Sequence, residues 1–258
     1  MLSKEISKPT ERRSIVLLDM YAYNTIQLSG NKEWLWDKEI LVLNLEDKDT
    51  LKKCSNDKLY KKLENEGLLN IGNVLFQNPY EWDNYSLTDS VDNLIKSSSL
   101  YKYMLLSNLC MLLGAKHVLY KNVYGVNSTV SNTGKVSGSK VGVGGEVNVK
   151  NNISKAIKKE IRLEDSFEGN NKPNIEEAKE YLSKKHLTND LTLLSLIESR
   201  SFSNKLKNRK ITINLTSELG KTLQIGAKIK IPTWSIGTDF ERVCNNREDI
   251  KMDIEIDF

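Results

Sequence analysis

Hydrophobic and polar residues alternate strictly in three segments towards the end of the chain. These segments read Ile-Thr-Ile-Asn-Leu at 211–215, Leu-Gln-Ile-Gly-Ala-Lys-Ile-Lys-Ile at 223–231 and Ile-Lys-Met-Asp-Ile-Glu-Ile-Asp-Phe at 250–258. Alternation with a period of two is typical of antiparallel strands that bury one face and expose the other. We therefore predict three strands of one antiparallel sheet, with Ile254 on the buried face.

Apolar runs elsewhere in the chain predict further strands. Residues 15–18, 40–45 and 117–124 are short and largely apolar, as buried strands are. Residues 153–163 are ambiguous between a strand and a short helix. Residues 68–85 are rich in turn-forming residues and are predicted to be irregular.

Apolar residues at helical spacing predict a charged helix at 51–66, a long helix at 87–113 and a helical region at 174–200. Asp49 is the expected N-cap of the first helix, and Ser86 begins a capping box before the second. A run of three serines inside the long helix could divide it in two, because serine side chains compete for backbone hydrogen bonds.

Together these elements predict an α+β protein in which a predominantly antiparallel sheet is packed on one face by the helices at about 87–113 and 174–200. The composition changes near residues 114–116. A mixed α/β part, 1–114, gives way there to a strand-rich part, 115–258, which contains the second helical region as an insertion. The sequence leaves open whether these parts are two domains or one continuous domain.

The composition is that of an ordinary globular protein. The 258 residues are 39% hydrophobic and 28% charged, with a formal net charge of +4, which does not by itself favour a polyanionic partner. Cys54, Cys110 and Cys244 are far apart and form no CxxC pair, so we expect free thiols and a cytoplasmic location. The richness in Lys, Asn and Ile is compatible with an AT-rich bacterial genome.

Motifs of the common catalytic centres are absent from the sequence. His117 and His186 are far apart and match neither HxxxH nor HExxH, and there is neither a GxSxG elbow nor a nucleotide-binding glycine loop. We therefore expect no catalytic residue, metal or cofactor. The favoured function is a non-catalytic intracellular binding or assembly component whose partner is a protein, a second copy of the chain or a nucleic acid.

Charged residues around the closing segments are the candidate binding residues. If the closing strands are neighbours, their opposite charges could pair across the sheet or form a docking surface. In a rival arrangement, residues 236–242 form an intervening strand. The candidate residues are Lys205, Lys207, Arg209, Lys210, Lys228, Lys230, Asp253, Glu255 and Asp257.

A glycine- and serine-rich segment at about 125–152 suggests an alternative function. Pore-forming proteins can store a membrane hairpin as an alternating, polar-looking segment. Such a hairpin would present Val141, Val143, Val147 and Val149 as its apolar face. The first alternative is therefore a pore-forming or membrane-disrupting effector, which would have a membrane as its partner.

Acidic residues in the N-terminal part suggest a second alternative. Asp19 ends a predicted buried strand, Asp37 follows, and Glu46 and Lys48 have the E-x-K spacing used by one large class of nucleases. In that class the carboxylates hold a divalent metal and the lysine helps to position the attacking water. The second alternative is a metal-dependent nuclease.

Overall fold

The protein has an α+β fold with two four-stranded sheets, which confirms the predicted fold class. The first sheet is mixed and the second is antiparallel. In the part of the chain that the structure describes, no helix has the length and apolar character needed to cross a membrane. The computed structural model describes residues 12–54, 57–88, 90–126, 157–170, 172–231, 237–246 and 250–258.

The first sheet lies in the N-terminal part of the chain. Its strands are β1 (Ser14–Leu18), β2 (Ile40–Asn44), β3 (Val74–Asn78) and β4 (Glu81–Leu87), in the spatial order β2-β1-β3-β4. Every residue of β1 is buried, as its apolar sequence predicts. β1 and β2 are parallel, and the chain crosses between them through helix α1 (Met20–Leu28) and a 3-10 turn (Glu33–Trp36).

The second sheet contains two of the predicted closing strands. Its strands are β5 (His117–Val126), β6 (Ile157–Ser166), β7 (Asn208–Asn214) and β8 (Ile250–Asp257), in the order β6-β5-β8-β7. Met252, Ile254 and Ile256 of β8 are buried, and the alternate residues Asp253 and Glu255 are on the wetter face. The predicted orientation of Ile254 is therefore confirmed.

Helices cover the sheets and connect the two parts of the chain. They are α2 (Lys48–Cys54), α3 (Lys58–Asn65), α4 (Val91–Leu112), α5 (Ile175–Lys184), α6 (Leu191–Ser201), α7 (Leu215–Lys228) and α8 (Gly237–Asn246). The main core draws on both parts, and Phe76 of β3 stacks on Phe240 of α8 with ring centroids 5.0 Å apart. The division of the chain into domains stays a prediction.

The strand predicted at 223–231 is wrong, because most of that segment belongs to α7. Asn214 caps this helix through a hydrogen bond from the Ser217 backbone N–H. Leu215, Leu219 and Leu223 are buried at intervals of four residues, so the helical period over the longer window outweighs the local alternation. The rival strand at 236–242 is also wrong from residue 237 onward, where α8 begins.

The irregular segment predicted at 68–85 contains the β3–β4 hairpin instead. Its apolar run 74–76 is buried in the first sheet, and Pro79 and Tyr80 form the turn. The turn-forming residues of this segment favoured an irregular structure in the sequence, although they lie mainly at the ends of the strands. The ambiguous residues 153–163 contain the start of β6 from residue 157.

The predicted helices exist, with different boundaries. The helix predicted at 51–66 is divided into α2 and α3, and Asp57 caps the second of them. Helix α4 begins after Ser90 and continues without a break through its three serines, because Ser97 and Ser99 bond carbonyls within the helix. It ends where predicted, at Gly114, which has a φ of +81° and a close backbone neighbour at Asn170.

Candidate functional site

A row of cavities beside helix α1 is the candidate binding surface. It consists of three cavities of about 580, 290 and 410 Å³. The first two share Thr25 and Ile231, and the last two share Asn31 and Lys230. The three cavities therefore adjoin one another, with residues of α1 on one side of the first two and residues 228–231 on the other side. We call this row of cavities the α1 groove.

Two carboxylates, Asp19 and Glu46, lie at the start of α1. Asp19 lines the 580 Å³ cavity, which we call the wide end of the α1 groove, and Glu46 lies beside it at the Met20 backbone N–H. Asp19 follows β1 and accepts a hydrogen bond of 2.6 Å from the Ala22 backbone N–H through Oδ1, which caps α1. Glu46 follows β2 and accepts one of 3.0 Å from the Met20 backbone N–H through Oε2. Because β1 and β2 are parallel, their carboxyl ends meet at one edge of the sheet and bring both side chains to the start of α1.

Large apolar side chains are exposed on α1 and in the loop beside its start. Tyr21 and Leu28 of α1 are 80% and 90% exposed, and Ile71, in the loop before β3, is 52% exposed. Tyr21 and Leu28 are seven residues apart and so lie on the same face of the helix. Tyr21 and Ile71 also line the cavity that contains Asp19. Contiguous exposed apolar surface in a folded protein is typical of an interaction site.

The opposite end of the groove, at the 410 Å³ cavity, which we call the Lys228 end, contains two ion pairs and is also lined by Glu33. Lys228 Nζ lies 2.8 Å from Asp37 Oδ2, and this hydrogen bond raises the pKa of the lysine. Lys230 forms an ion pair with Glu241 of α8. The lysines therefore do not pair with the acidic residues of β8, which was one of the arrangements left open by the sequence.

The four residues of the nuclease alternative do not all come together. Asp19 and Glu46 lie at the start of α1, but Asp37 lines the cavity at the other end of the groove, and Lys48 is an exposed residue at the start of α2. Among the described residues, no group of three or more His, Cys, Asp or Glu side chains is arranged to hold a metal ion.

The acidic residues of β8 pair within their own sheet. Glu255 lies 3.1 Å from Lys210 on β7, and this hydrogen bond is the main reason that the pKa of Glu255 is lowered. Asp253 accepts a hydrogen bond from Thr212. Asp257 lies 3.8 Å from the His117 ring, which also contacts Glu164.

The other basic candidates lie at the start of β7. Arg209 donates a 3.4 Å hydrogen bond to the Ser199 hydroxyl, Lys205 is partly buried and Lys207 is exposed. The membrane-hairpin candidates Val141, Val143, Val147 and Val149 lie outside the described residues.

A buried charge network, which the sequence analysis missed, joins the two parts of the chain. Lys102 of α4 is 1% exposed, lies 2.8 Å from Asp190 and 3.3 Å from Glu218, and stands 4.8 Å above the ring of Tyr80. The Tyr80 hydroxyl donates to Glu218, and burial, followed by that carboxylate, raises the pKa of Tyr80. We call Tyr80, Lys102, Asp190 and Glu218 the Lys102 cluster.

Some of the missed features left a weak signal in the sequence. Lys102 occupies a position on the apolar stripe of α4, where a lysine needs an internal counter-ion. Tyr21 and Leu28 have helical spacing, but the short α1 was not recognised as a helix. No signal pointed to Ile71, because only the fold brings its loop beside α1.

Comparison with known proteins gives no relative from which a function could be transferred. No protein-family model matches the chain, and neither the curated proteins nor the solved structures gave a match. The functional argument therefore rests on the geometry of the α1 groove.

Proposed function

We propose that the protein is a non-catalytic binding component that holds a segment of a partner protein in the α1 groove. The observation that carries this proposal is the combination of adjoining cavities with exposed apolar residues in or beside them. Tyr21, Leu28 and Ile71 expose apolar surface that would be buried by a partner, at roughly 25 cal/mol per Å² removed from water.

A protein segment fits this site better than a nucleic acid does. Binding of a phosphate backbone depends on lysine and arginine side chains that are free to replace counter-ions. Lys210, Lys228 and Lys230 each have a carboxylate partner within the chain, and the carboxylates at the wide end of the groove would repel phosphate. The exposed apolar residues are the stronger attraction.

We also propose that the protein acts in the cytoplasm. Cys54 and Cys110 are buried free thiols and Cys244 is a partly buried one, as expected in a reducing compartment. Burial raises the pKa of Cys110 to about 12, so that thiol remains protonated and unreactive.

Site-specific photo-crosslinking in the native host tests the proposed function. A photoreactive phenylalanine analogue placed at Leu28 should yield one adduct of defined mass with another protein. The same analogue at Leu191, which is 79% exposed at the start of α6, should not yield that adduct. Introducing Ile71→Glu should abolish the Leu28 adduct.

Three outcomes would contradict this proposal. An adduct that disappears on nuclease treatment would identify a nucleic acid as the partner, and an adduct of twice the chain mass would identify self-association. Equal yields at Leu28 and Leu191 would show that the α1 groove is not a specific surface.

A membrane-active hairpin is a second candidate, favoured by one observation. Strands β5 and β6 pair in unbroken antiparallel register up to Val126 and Ile157. The segment with the valine pattern, outside the described residues, thus connects two paired strands. Dye release from anionic liposomes should occur with the wild-type protein and be lost in Val143→Asp. Absence of release by the wild-type protein would contradict this candidate.

A further inference from the structure

We infer that the α1 groove selects a partner segment in which a lysine or arginine is adjacent to apolar side chains. This inference rests on the proposed function and adds the chemistry of the bound segment. The cation would contact Asp19 and Glu46 at the wide end of the groove, and the apolar side chains would cover Tyr21 and Ile71.

The charge at the wide end is not compensated within the described part of the chain. Neither Asp19 nor Glu46 forms an ion pair there, and each uses one oxygen to accept a backbone N–H at the start of α1. The N-terminus of a helix contributes about half a positive charge, so two carboxylates leave a net negative charge. Asp19 Oδ2 and Glu46 Oε1 remain available for an ammonium or guanidinium group.

The cavity at the wide end of the α1 groove is largely apolar. Leu18, Ala22 and Ile231 line it together with the exposed Tyr21 and Ile71. A lysine or arginine side chain has an apolar stem and a charged head, and it can cover apolar surface while its head reaches the carboxylates. The ring of Tyr21 would add a cation–π contact. Charge and apolar surface thus favour the same type of segment.

The rest of the groove limits the position of the cation and the length of the segment. At the Lys228 end, Lys228 is paired with Asp37 and Lys230 with Glu241, and Glu33 is a single lining carboxylate without an ion pair among the described residues. The excess negative charge there is therefore smaller than at the start of α1, where two carboxylates lack an ion pair. Helix α1 has nine residues and is about 13 Å long at 1.5 Å per residue. An extended chain of about four or five residues spans this distance.

Selection of short linear peptides displayed on phage, followed by fluorescence anisotropy with the selected peptides, tests this inference. We expect enrichment of peptides that carry a lysine or arginine beside apolar residues. The double variant Asp19→Asn, Glu46→Gln should weaken their binding by about tenfold or more, because each hydrogen bond to a charged group is worth roughly 1.5–3 kcal/mol. Asparagine keeps the cap of α1, so the variant should remain folded.

A matched control and a second groove variant distinguish a failure of the charge inference from a failure of the proposed binding site. Asp57→Asn makes the same change at the N-cap of α3, outside the groove, and should leave peptide binding unchanged. Tyr21→Ser should weaken binding by removing exposed apolar surface.

Peptides that lose affinity with Tyr21→Ser but not with the double variant would overturn the charge inference and leave the proposed function standing. A selection that yields only peptides insensitive to both variants would overturn both. Thermal unfolding monitored by circular dichroism checks that each variant is folded.

Discussion

Two aspartates of this protein have the same local role and very different surroundings. Asp19 caps α1 and Asp190 caps α6, each through Oδ1. Asp190 Oδ2 lies 2.8 Å from Lys102, whereas Asp19 Oδ2 has no cation beside it among the described residues. The difference shows how the fold separates a structural charge from one that can serve a partner.

Because Lys102 is buried, its ammonium group needs the other three residues of the Lys102 cluster as partners. Removing an ion from water costs several kcal/mol, which only close counter-ions and hydrogen bonds offset. Lys102 has two carboxylates and an aromatic ring around its ammonium group. Asp19 and Glu46 have the same exposure as Asp190 and Glu218, partly exposed and exposed respectively, but they do not face a buried cation, so water solvates their charge. Four predictions test this contrast, in order of decreasing effect.

The largest effect is expected for Lys102→Met. This variant keeps most of the side-chain volume but leaves Asp190 and Glu218 without their cation, so the free energy of unfolding should fall by about 3–5 kcal/mol. Urea denaturation at neutral pH measures this loss. Lys96→Met, at an exposed position of the same helix, should change stability by less than about 0.5 kcal/mol. Equal effects of the two variants would show that the Lys102 cluster is not structural.

Replacing the two capping aspartates compares the regions directly. Asp190→Asn keeps the cap of α6 but removes the charge that faces Lys102, so stability should fall by about 1.5–3 kcal/mol. Asp19→Asn should change stability by less than about 0.5 kcal/mol, because it loses no ion pair within the described chain. Denaturation curves of both variants, recorded in the same buffer, give the difference. A greater loss for Asp19→Asn would reverse the assignment of roles.

The wall of the α1 groove depends on the packing of α7 against α8. A Cβ atom at Gly226 would lie 2.3 Å from the ring of Phe240, so Gly226→Ala should lower stability by about 1–3 kcal/mol through overpacking. Gly220→Ala, in the same helix with open space around it, should be neutral or stabilise the protein by up to about 1 kcal/mol. Thermal unfolding measures both variants. Equal effects of Gly226→Ala and Gly220→Ala would argue against the packing of α7 against α8 at Gly226.

The smallest effect concerns Glu81, next to the Lys102 cluster. Burial raises its pKa, but hydrogen bonds from Lys185, Tyr101 and Asn84 outweigh that effect and lower the pKa from 4.5 to about 2. A lowered pKa contributes stability above pH 4.5 that is lost as the pH falls towards 2. Glu81→Gln should remove this part of the acid sensitivity, about 1 kcal/mol after solvent screening. Urea denaturation at pH 6 and pH 3 measures it. An unchanged pH dependence would contradict the prediction.

The predictions from sequence succeeded where short-range pattern and burial agree. The strands β1 and β8 have uniform or strictly alternating apolar residues, and both were predicted. Asn174 was expected at the start of a helix and caps α5. In α7 the local alternation of 223–231 competes with the four-residue spacing of Leu215, Leu219 and Leu223, and tertiary packing favours the helix.

The candidate site was only partly predictable, because its residues come from distant segments. Asp19, Lys228 and Lys230 were all candidates in the sequence, Asp19 for a metal site and the two lysines for a charged strand face. In the structure the lysines pair with Asp37 and Glu241 instead. Asp19 lines the groove with Ile71 and Ile231, a contact that depends on how α7 lies against β1 and on the loop before β3. No local pattern encodes that arrangement.

The sequence by itself determined that Asp19 ends a buried strand and that Asp190 lies in a helical region, because both follow from the apolar pattern of neighbouring residues. Only the tertiary structure decided that Lys102, far away in the chain, lies against Asp190 and that none of the described cations lies against Asp19. Electrostatic compensation depends on distance and burial in space, and both are set when the helices pack. The same fold that completes the Lys102 cluster leaves Asp19 and Glu46 without a cation among the described residues, and the binding that we propose for the α1 groove rests on that difference.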